Sequence, residues 1–175
     1  MTARRAIGCV LFLSIVYAGT VLAQTPRGEN GLNYPLTDMR MRSRYAGLQS
    51  YVGMLYGANL RSSGTQSKPH QGWDLNAPEG TLIYAIGNGK VIHVDLDHPQ
   101  YGKQVIVSFP FGGAELYAQY AHLSKIIVVS GASVTAGQQI GLSGTTGNAD
   151  TQWPHLHFEV RKVSSLQVGT GLANR

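Results

Sequence analysis

A chain of 175 residues has room for one domain and a short tail. Hydrophobic residues make up 43% of the sequence, which is enough for a packed core, and the absence of a Gly-X-Y repeat excludes a collagen-like protein. The net charge is +5, but no basic cluster is denser than Arg40, Arg42 and Arg44, which argues against a nucleic-acid-binding protein.

Residues 1–23 have the pattern of a secretory signal peptide. Arg4 and Arg5 precede an almost unbroken apolar run from Ala6 to Leu22, and Ala23 completes a small-residue cleavage site. An uncleaved membrane anchor is the alternative, because the run is close to the minimum length that spans a bilayer. We expect cleavage, export to the periplasm or the exterior, and no stable membrane insertion of the mature chain.

Loss of this segment would change the charge and remove the cysteine. Without Arg4 and Arg5 the net charge falls from +5 to +3, a mildly basic balance that suits adhesion to an anionic polymer. Cys9 is the single cysteine of the sequence and lies within the segment. The mature protein would therefore have no disulfide, no thiol nucleophile and no cysteine ligand for a metal.

Residues 24–60 form an N-terminal segment with little periodic pattern, because proline and glycine recur up to Pro35. One short helix is predicted within Leu36–Tyr56, although Gly47 and Gly53 lower its helix propensity. The sequence of this segment indicates no function.

Residues 61–165 are the predicted domain, and residues 166–175 form a C-terminal tail. Turn residues recur about every eight to twelve positions, which is typical of an antiparallel sheet or sandwich. The predicted strands are Thr81–Ile86, Lys90–Val94, Gln104–Phe109, Glu115–His122, Lys125–Val129, Gln139–Leu142 and His155–Val160. A tight hairpin turn at Gly87-Asn88-Gly89 is expected to join the first two strands, and Pro110–Gly113 the next two. The predicted fold class is mainly β.

His155 and His157 flank Leu156 on the last predicted strand. Side chains two residues apart on a strand point to one face, so both imidazoles project together while Leu156 and Phe158 face the core. The two histidines could both bind one metal ion, or one could bind while the other transfers protons. A pair of solvated surface histidines is the alternative.

His70 and Asp74 form a second pair, four residues apart. Pro69 and Gly72 argue against a helix here, so the two side chains are expected to converge from a bent loop that enters a strand. A nitrogen and a carboxylate oxygen are a reasonable half-site for zinc, which needs a third protein ligand and an open fourth position.

The other histidines are ambiguous. His122 ends a predicted strand with Tyr120 on the same face, which by itself indicates a buried, hydrogen-bonded core histidine. His93 and His98 lie near Asp95, where a second metal site is conceivable, although alternating acids and histidines on an exposed edge are usually solvated.

Three motifs occur in the order seen in one family of cell-wall enzymes. They are His70-x-x-x-Asp74, Tyr120-x-His122-Leu123-Ser124 and His155-Leu156-His157-Phe158-Glu159. Between them stand Gly131-x-x-Val134-x-x-Gly137-Gln138-x-Ile140-Gly141 and Gly144-x-x-Gly147. From about Lys68 to Arg161 the chain resembles the lysostaphin-type, LytM-like zinc endopeptidases of bacterial cell walls.

The resemblance implies a site and an activity. His70, Asp74 and His157 match the ligands of one zinc ion, and His122 and His155 match the catalytic histidines. The implied fold is a small antiparallel β-structure with a loop-walled groove that holds the zinc. The implied protein is a secreted or periplasmic monomer that hydrolyses stem peptides or cross-bridges of peptidoglycan.

The implied chemistry is consistent with these residue types. Two histidines and a carboxylate leave zinc an open position for water, whose pKa falls to roughly 7 in favourable sites. The sequence has no His-Glu-x-x-His motif, so His122 or His155 must deprotonate the water and protonate the leaving amine. Glu159 shares the face of His157 and is expected to hold an imidazole tautomer rather than act as the base.

The sequence argues against two other classes of protein. A catalytically inactive relative that binds the wall or regulates amidases should lack ligands, whereas here every ligand and catalytic position is filled. A barrel-sandwich carrier domain needs a lysine at a hairpin tip, and no lysine lies between Lys125 and Lys162. The residues at 152–154 and the short chain after Glu159 depart from the family pattern, so one groove wall and the last element are expected to differ.

Overall fold

The computed structural model describes residues 30–40, 70–149, 151 and 153–164. The predicted signal segment and the C-terminal tail lie outside these ranges. Of the helix predicted within Leu36–Tyr56 only residues 36–40 are described, and they are not helical. Among the residues with described structure, no helix is long and apolar enough to cross a membrane.

The described residues form one antiparallel sheet. Its strands are β1 Trp73–Asn76, β2 Leu82–Tyr84, β3 Gly89–His98, β4 Gly102–Phe111, β5 Ala114–Ile126, β6 Ser133–Val134, β7 Gln139–Ser143 and β8 His155–Arg161. Their order is β1-β8-β5-β4-β3-β6, while β7 pairs with β5 and β2. The predicted mainly β, antiparallel fold class is confirmed.

The strand predictions are right in most places and wrong in two. The strand expected after the loop at His70 is β1, but β6 was not predicted, and the strand predicted at Lys125–Val129 is the end of the longer β5, which stops at Ile126. The long β5 passes several strands in turn, pairing with β4, β7 and β8. Because no turn residue separates the parts of β5 that pair with different strands, the sequence does not show where the pairing changes.

The hairpin predicted at Gly87-Asn88-Gly89 is also wrong. β2 pairs with β7, while β3 pairs with β4 and β6. The two-residue hairpin turns that favour glycine need positive φ angles, and none of these three residues has one. Gly89 instead allows a close approach, because a Cβ there would lie 1.8 Å from the carbonyl oxygen of Ser108.

The second predicted hairpin is confirmed. Phe111 of β4 pairs with Ala114 of β5, and the turn between them consists of Gly112 and Gly113. These glycines have φ angles of 58° and 79°, as a two-residue turn of the favoured twist requires. This hairpin fixes the register of the two longest neighbouring strands.

A β-bulge interrupts β5 at His122. Val105 pairs with Tyr120 and Lys103 pairs with Leu123, so β5 uses one residue more than β4 across this stretch. His122 itself has a φ angle of 60°, a left-handed conformation that costs a non-glycine residue about 1–3 kcal/mol. Bulges of this kind re-aim a side chain.

The bulge changes the face on which His122 lies. Tyr120 lies in the core, where its ring contacts Phe158 and its hydroxyl accepts a hydrogen bond from the backbone N–H of Ile86. The ring of His122 is instead 4.8 Å from that of His155, on the opposite face. The prediction that His122 and Tyr120 share a face is therefore wrong.

The two faces of the sheet differ in chemistry. One face carries the buried apolar core, which includes Leu75, Val105, Val107, Phe109, Ala118, Tyr120, Leu156 and Phe158. The other face carries polar side chains that are also buried, namely Asp74, Gln104, Gln119, His157, Glu159 and Arg161. Because buried polar groups must be hydrogen-bonded, this second face requires a specific network.

Candidate metal centre

Strand pairing brings Asp74 and His157 together. In the antiparallel register of β1 and β8 these two residues are direct partners, on the polar face of the sheet. His70 lies just before β1 and is also buried. Gly72 allows this segment to approach β8, because a Cβ there would lie 2.4 Å from the carbonyl oxygen of Phe158.

Three side-chain atoms from these residues converge. His157 Nδ1 lies 2.9 Å from Asp74 Oδ1 and 3.1 Å from His70 Nε2. The distance from His70 Nε2 to Asp74 Oδ1 is 3.2 Å. A tetrahedral zinc ion with bonds of about 2.0–2.1 Å places its ligand atoms about 3.3 Å apart, so this donor set fits zinc in type and spacing. In the part of the chain that is described, no other group of three donors converges in this way.

The two nitrogens of His157 face different groups. His157 Nε2 lies 2.9 Å from Glu159 Oε1, so the N–H at this position donates to the carboxylate, and Nδ1 is the nitrogen that faces Asp74, where a bound metal ion would take the place of its proton. Glu159 also accepts hydrogen bonds from the Tyr101 hydroxyl at 2.9 Å and from Arg161 Nε at 2.8 Å. Burial and the Glu159 carboxylate raise the pKa of Tyr101 to about 12, which keeps the phenol a donor.

A chain of buried polar side chains continues from Glu159. Arg161 donates from its guanidinium to Gln119 Oε1, and Gln119 Nε2 donates to Gln104 Oε1 at 2.6 Å. All four side chains are almost completely excluded from solvent. Because these contacts satisfy the Glu159 carboxylate from several sides, they fix its orientation toward His157.

The electrostatics of the cluster favour a cation. Burial alone would raise the pKa of Asp74, but the charges and hydrogen bonds of the surrounding histidines hold it well below its usual range. Burial likewise opposes a charge on His157, yet hydrogen bonds to Asp74 and Glu159 raise its pKa to about 9. Carboxylates that favour a proton on this imidazole would also favour a metal ion beside it.

His155 and His122 lie beside the three converging residues. His155 Nδ1 is 3.0 Å from the carbonyl oxygen of Trp153, and His122 Nδ1 is 2.8 Å from that of Thr146. A carbonyl can only accept, so each Nδ1 carries the proton and each Nε2 keeps a lone pair. His155 Nε2 lies 3.6 Å from Asp74 Oδ1. Burial, followed by the charges of the neighbouring histidines, lowers the pKa of His122 to about 3.

The solvated alternative for the histidine pair on β8 is wrong. His155 and His157 are 3% and 5% exposed, and His122 is 5% exposed. Surface histidines remain hydrated, whereas these three are buried next to a carboxylate. The structure therefore brings together all five residues that the motifs single out.

His93 and His98 do not join this cluster. His93 Nε2 is 4.0 Å from Asp95 on a half-exposed strand. His98 Nδ1 accepts hydrogen bonds from the backbone N–H groups of Gln100 and Tyr101, at 3.2 and 3.1 Å. His98 thus stabilises the turn between β3 and β4, which is a structural role.

Several partners of the site were not predicted from the sequence. Arg161 could have been found, since residues 155, 157, 159 and 161 alternate onto one face of a strand. Tyr101, Gln119 and Thr146 carry no such signal, because they reach the site from a turn, from β5 and from a loop. Their positions depend on the register of β4, β5 and β8.

The family model of peptidase family M23 matches residues 68–168. This match covers more than half of the chain, so the chain belongs to peptidase family M23. Membership confirms the resemblance to lysostaphin-type peptidases that the motifs indicated.

Individual relatives agree with this assignment. Over 110 residues the chain is 38% identical to the peptidoglycan DD-endopeptidase ShyA of Vibrio cholerae, covering 61% of this chain and 24% of ShyA. A crystal structure of a zinc-containing peptidase from Vibrio cholerae matches with a TM-score of 0.57 and 34% identity, covering 73% of this chain and 35% of that one. The catalytic domain of lysostaphin from Staphylococcus simulans matches with a TM-score of 0.53 and 34% identity, covering 63% and 80%. The chain thus spans about a quarter of the length of ShyA.

Proposed function

We propose that the chain is a zinc-dependent endopeptidase that hydrolyses the peptide cross-links of bacterial peptidoglycan. The observation that carries the proposal is the convergence of His70 Nε2, Asp74 Oδ1 and His157 Nδ1 in a buried site. The 38% identity to a peptidoglycan DD-endopeptidase supports the substrate class. Family membership supports the reaction type.

His70, Asp74 and His157 would hold the zinc ion. Bound there, zinc would supply a Lewis acid that polarises the scissile carbonyl and lowers the pKa of water to roughly 7. Asp74 contributes the negative charge of the ligand set, and Glu159 keeps His157 in the tautomer whose Nδ1 can bind. The three donors leave room for a fourth, exchangeable position, as catalytic zinc sites require.

His122 and His155 would move protons. Each has its Nδ1 proton engaged by a backbone carbonyl, so each offers a basic Nε2 toward the reacting groups. One accepts a proton from the attacking water, and the protonated imidazole then donates to the leaving amine. Burial lowers the pKa of His122, which favours the neutral imidazole that a proton acceptor must have.

The cellular location of the enzyme and the boundaries of its catalytic domain are part of the same proposal. Residues 1–23 act as the export signal, and the mature protein works as a monomer in the periplasm or outside the cell, without binding nucleic acid. Residues 61–165 form the catalytic domain; the family match over 68–168 supports most of this range and extends three residues beyond it. The substrate is the stem peptide or cross-bridge of the wall.

Digestion of purified cell walls tests this function. Zinc-loaded protein is incubated with two walls, one with direct D-Ala–diaminopimelate cross-links and one with glycine bridges, and the fragments are identified by mass spectrometry. We expect cross-linked dimers of at least one wall to be converted to monomers, one of which carries a new amine and the other a new carboxylate.

Asp74→Asn is the matched control, because it keeps the shape of the side chain and removes the charge. This variant should release no fragments from either wall. If the folded, zinc-loaded wild-type chain also cleaved neither wall, the proposal would fail in favour of an inactive, wall-binding or amidase-regulating relative.

Glu159→Gln is expected to weaken zinc binding about 10- to 100-fold, the usual cost of losing a carboxylate that orients a ligand histidine. A neutral amide is a weaker acceptor for the His157 N–H, and Arg161 loses its counter-charge. Competition with a fluorescent zinc chelator measures the affinity.

Glu115→Gln is the control for the loss of a negative charge. Glu115 is on β5 of the same sheet but is exposed, so its variant should bind zinc as the wild type does. Equal weakening in both variants would indicate a general charge effect and contradict the specific role of Glu159.

A further inference from the structure

The conformation of His122 requires external support. This residue is at a bulge with a left-handed φ of 60°, which L-residues seldom adopt without contacts that hold them. Two hydrogen bonds supply part of that support. The backbone N–H of His122 donates to the carbonyl oxygen of Tyr101 at 2.8 Å, and Nδ1 lies 2.8 Å from that of Thr146.

The second of these carbonyls belongs to a loop, and the Thr146 hydroxyl fixes that loop. Its Oγ1 accepts a hydrogen bond from the backbone N–H of Lys103 at 2.9 Å and donates to the carbonyl oxygen of Leu123 at 2.8 Å. Leu123 directly follows His122, and Lys103 is its partner on β4. One hydroxyl therefore bonds the loop to both strands next to the bulge.

Close backbone packing at two glycines, Gly102 and Gly147, also positions this loop. A Cβ on Gly102 would lie 2.3 Å from the carbonyl carbon of Thr146, and a Cβ on Gly147 would lie 2.3 Å from the nitrogen of Gly102. Both glycines have positive φ angles. The backbone N–H of Asn148 adds a hydrogen bond to the carbonyl oxygen of Gln100 at 2.9 Å. This close approach explains why the last position of the Gly144-x-x-Gly147 motif is a glycine.

We propose that Thr146 is a positioning residue whose hydroxyl holds the loop carbonyl against His122 and so fixes the tautomer and direction of this imidazole. The inference rests on the proposed function only where it predicts an effect on turnover. In that function His122 is the residue whose Nε2 would exchange protons with substrate. Among the described residues, the hydrogen bonds of the Thr146 hydroxyl go to the backbone of Lys103 and Leu123 and not to a candidate ligand. Its effect passes through the loop carbonyl.

Two substitutions at Thr146 separate the hydroxyl from the shape of the side chain. Thr146→Val keeps the shape and removes both hydroxyl hydrogen bonds, whereas Thr146→Ser keeps the hydroxyl. Thr145→Val is the matched control one residue earlier, because Thr145 is a half-buried threonine of the same loop, while the hydroxyl that bonds to Lys103 and Leu123 belongs to Thr146. Thr146→Ala carries the same test if the valine variant does not fold, since alanine cannot clash.

The first readout is independent of activity. Long-range ¹H–¹⁵N spectra of histidine-labelled protein report the tautomer of His122 and the solvent exchange of its Nδ1 proton. We expect the wild type, Thr146→Ser and Thr145→Val to show the Nδ1-protonated tautomer with a slowly exchanging proton. Thr146→Val should lose that slow exchange. This comparison stands even if the wild type cleaves no peptidoglycan, so it fails separately from the proposed function.

The second readout is turnover. Thr146→Val should lower kcat about 100-fold, the cost of misplacing a catalytic group by about 1 Å, with KM and zinc content unchanged. Thr146→Ser should restore most of the rate. An unchanged His122 signal in Thr146→Val would overturn the inference, and so would an equal loss in Thr145→Val or a loss of zinc that accounts for the loss of rate.

Discussion

His157→Ala is expected to lose both the zinc and the activity, whereas His155→Ala keeps the zinc and loses only turnover. Removal of the His157 imidazole leaves two protein donors, which make a poor zinc site. His155 has its Nδ1 occupied by the Trp153 carbonyl and is proposed to transfer protons. Its loss should lower kcat by about 10²–10⁴, the usual contribution of general acid–base catalysis.

The two variants are matched controls for each other. Both remove a buried imidazole from the same strand, two residues apart, so packing losses are similar. Zinc content by mass spectrometry and kcat on purified wall are measured on the same preparations. If both variants lost zinc to the same extent, the division between ligand and proton carrier would be wrong.

Arg161→Met is expected to destabilise the fold by about 3–5 kcal/mol, because it removes one partner of a buried ion pair and leaves the other. Arg161 Nε donates to Glu159 at 2.8 Å, and its guanidinium also donates to Gln119. Loss of both contacts leaves a buried carboxylate and a buried amide oxygen without this partner. Denaturant unfolding in the presence of a chelator measures the change without a contribution from metal binding.

Lys162→Met is the control for this variant. Lys162 follows Arg161 in the chain but is exposed, so the same loss of a positive charge should leave stability within about 0.5 kcal/mol of the wild type. A similar loss of stability in both variants would show that net charge, rather than the buried pair, is responsible.

Local periodicity predicted the part of the site that lies on one strand. Alternation on β8 correctly gave His155 and His157 a common face, with Leu156 and Phe158 in the core. It also gave Glu159 the position from which it accepts a hydrogen bond from His157. These results follow from a period of two residues, which holds wherever a strand is regular.

The same periodicity failed where the strand was irregular. Alternation from Tyr120 would direct His122 into the core, and only the bulge on β5 directs it toward His155. No residue type near His122 indicates a bulge, because the left-handed φ of His122 is stabilised by contacts with Tyr101 and Thr146. Those contacts depend on tertiary structure.

Pairing between strands that are distant in sequence could not be predicted from residue patterns. The turn residues Gly87-Asn88-Gly89 predicted a local hairpin, but β2 pairs with the distant β7. In the same way, the pairing of Asp74 with His157 joins strands that are far apart in sequence. The order and spacing of the family motifs, rather than periodicity, indicated that these residues meet.

The most direct test of the account is X-ray diffraction from zinc-loaded crystals at energies just above and below the zinc absorption edge. We expect one anomalous peak per chain, within about 2.0–2.2 Å of His70 Nε2, Asp74 Oδ1 and His157 Nδ1. His122 and His155 should lie outside bonding distance of that peak. No peak at these three atoms, or a peak beside His93 and His98 instead, would contradict the account.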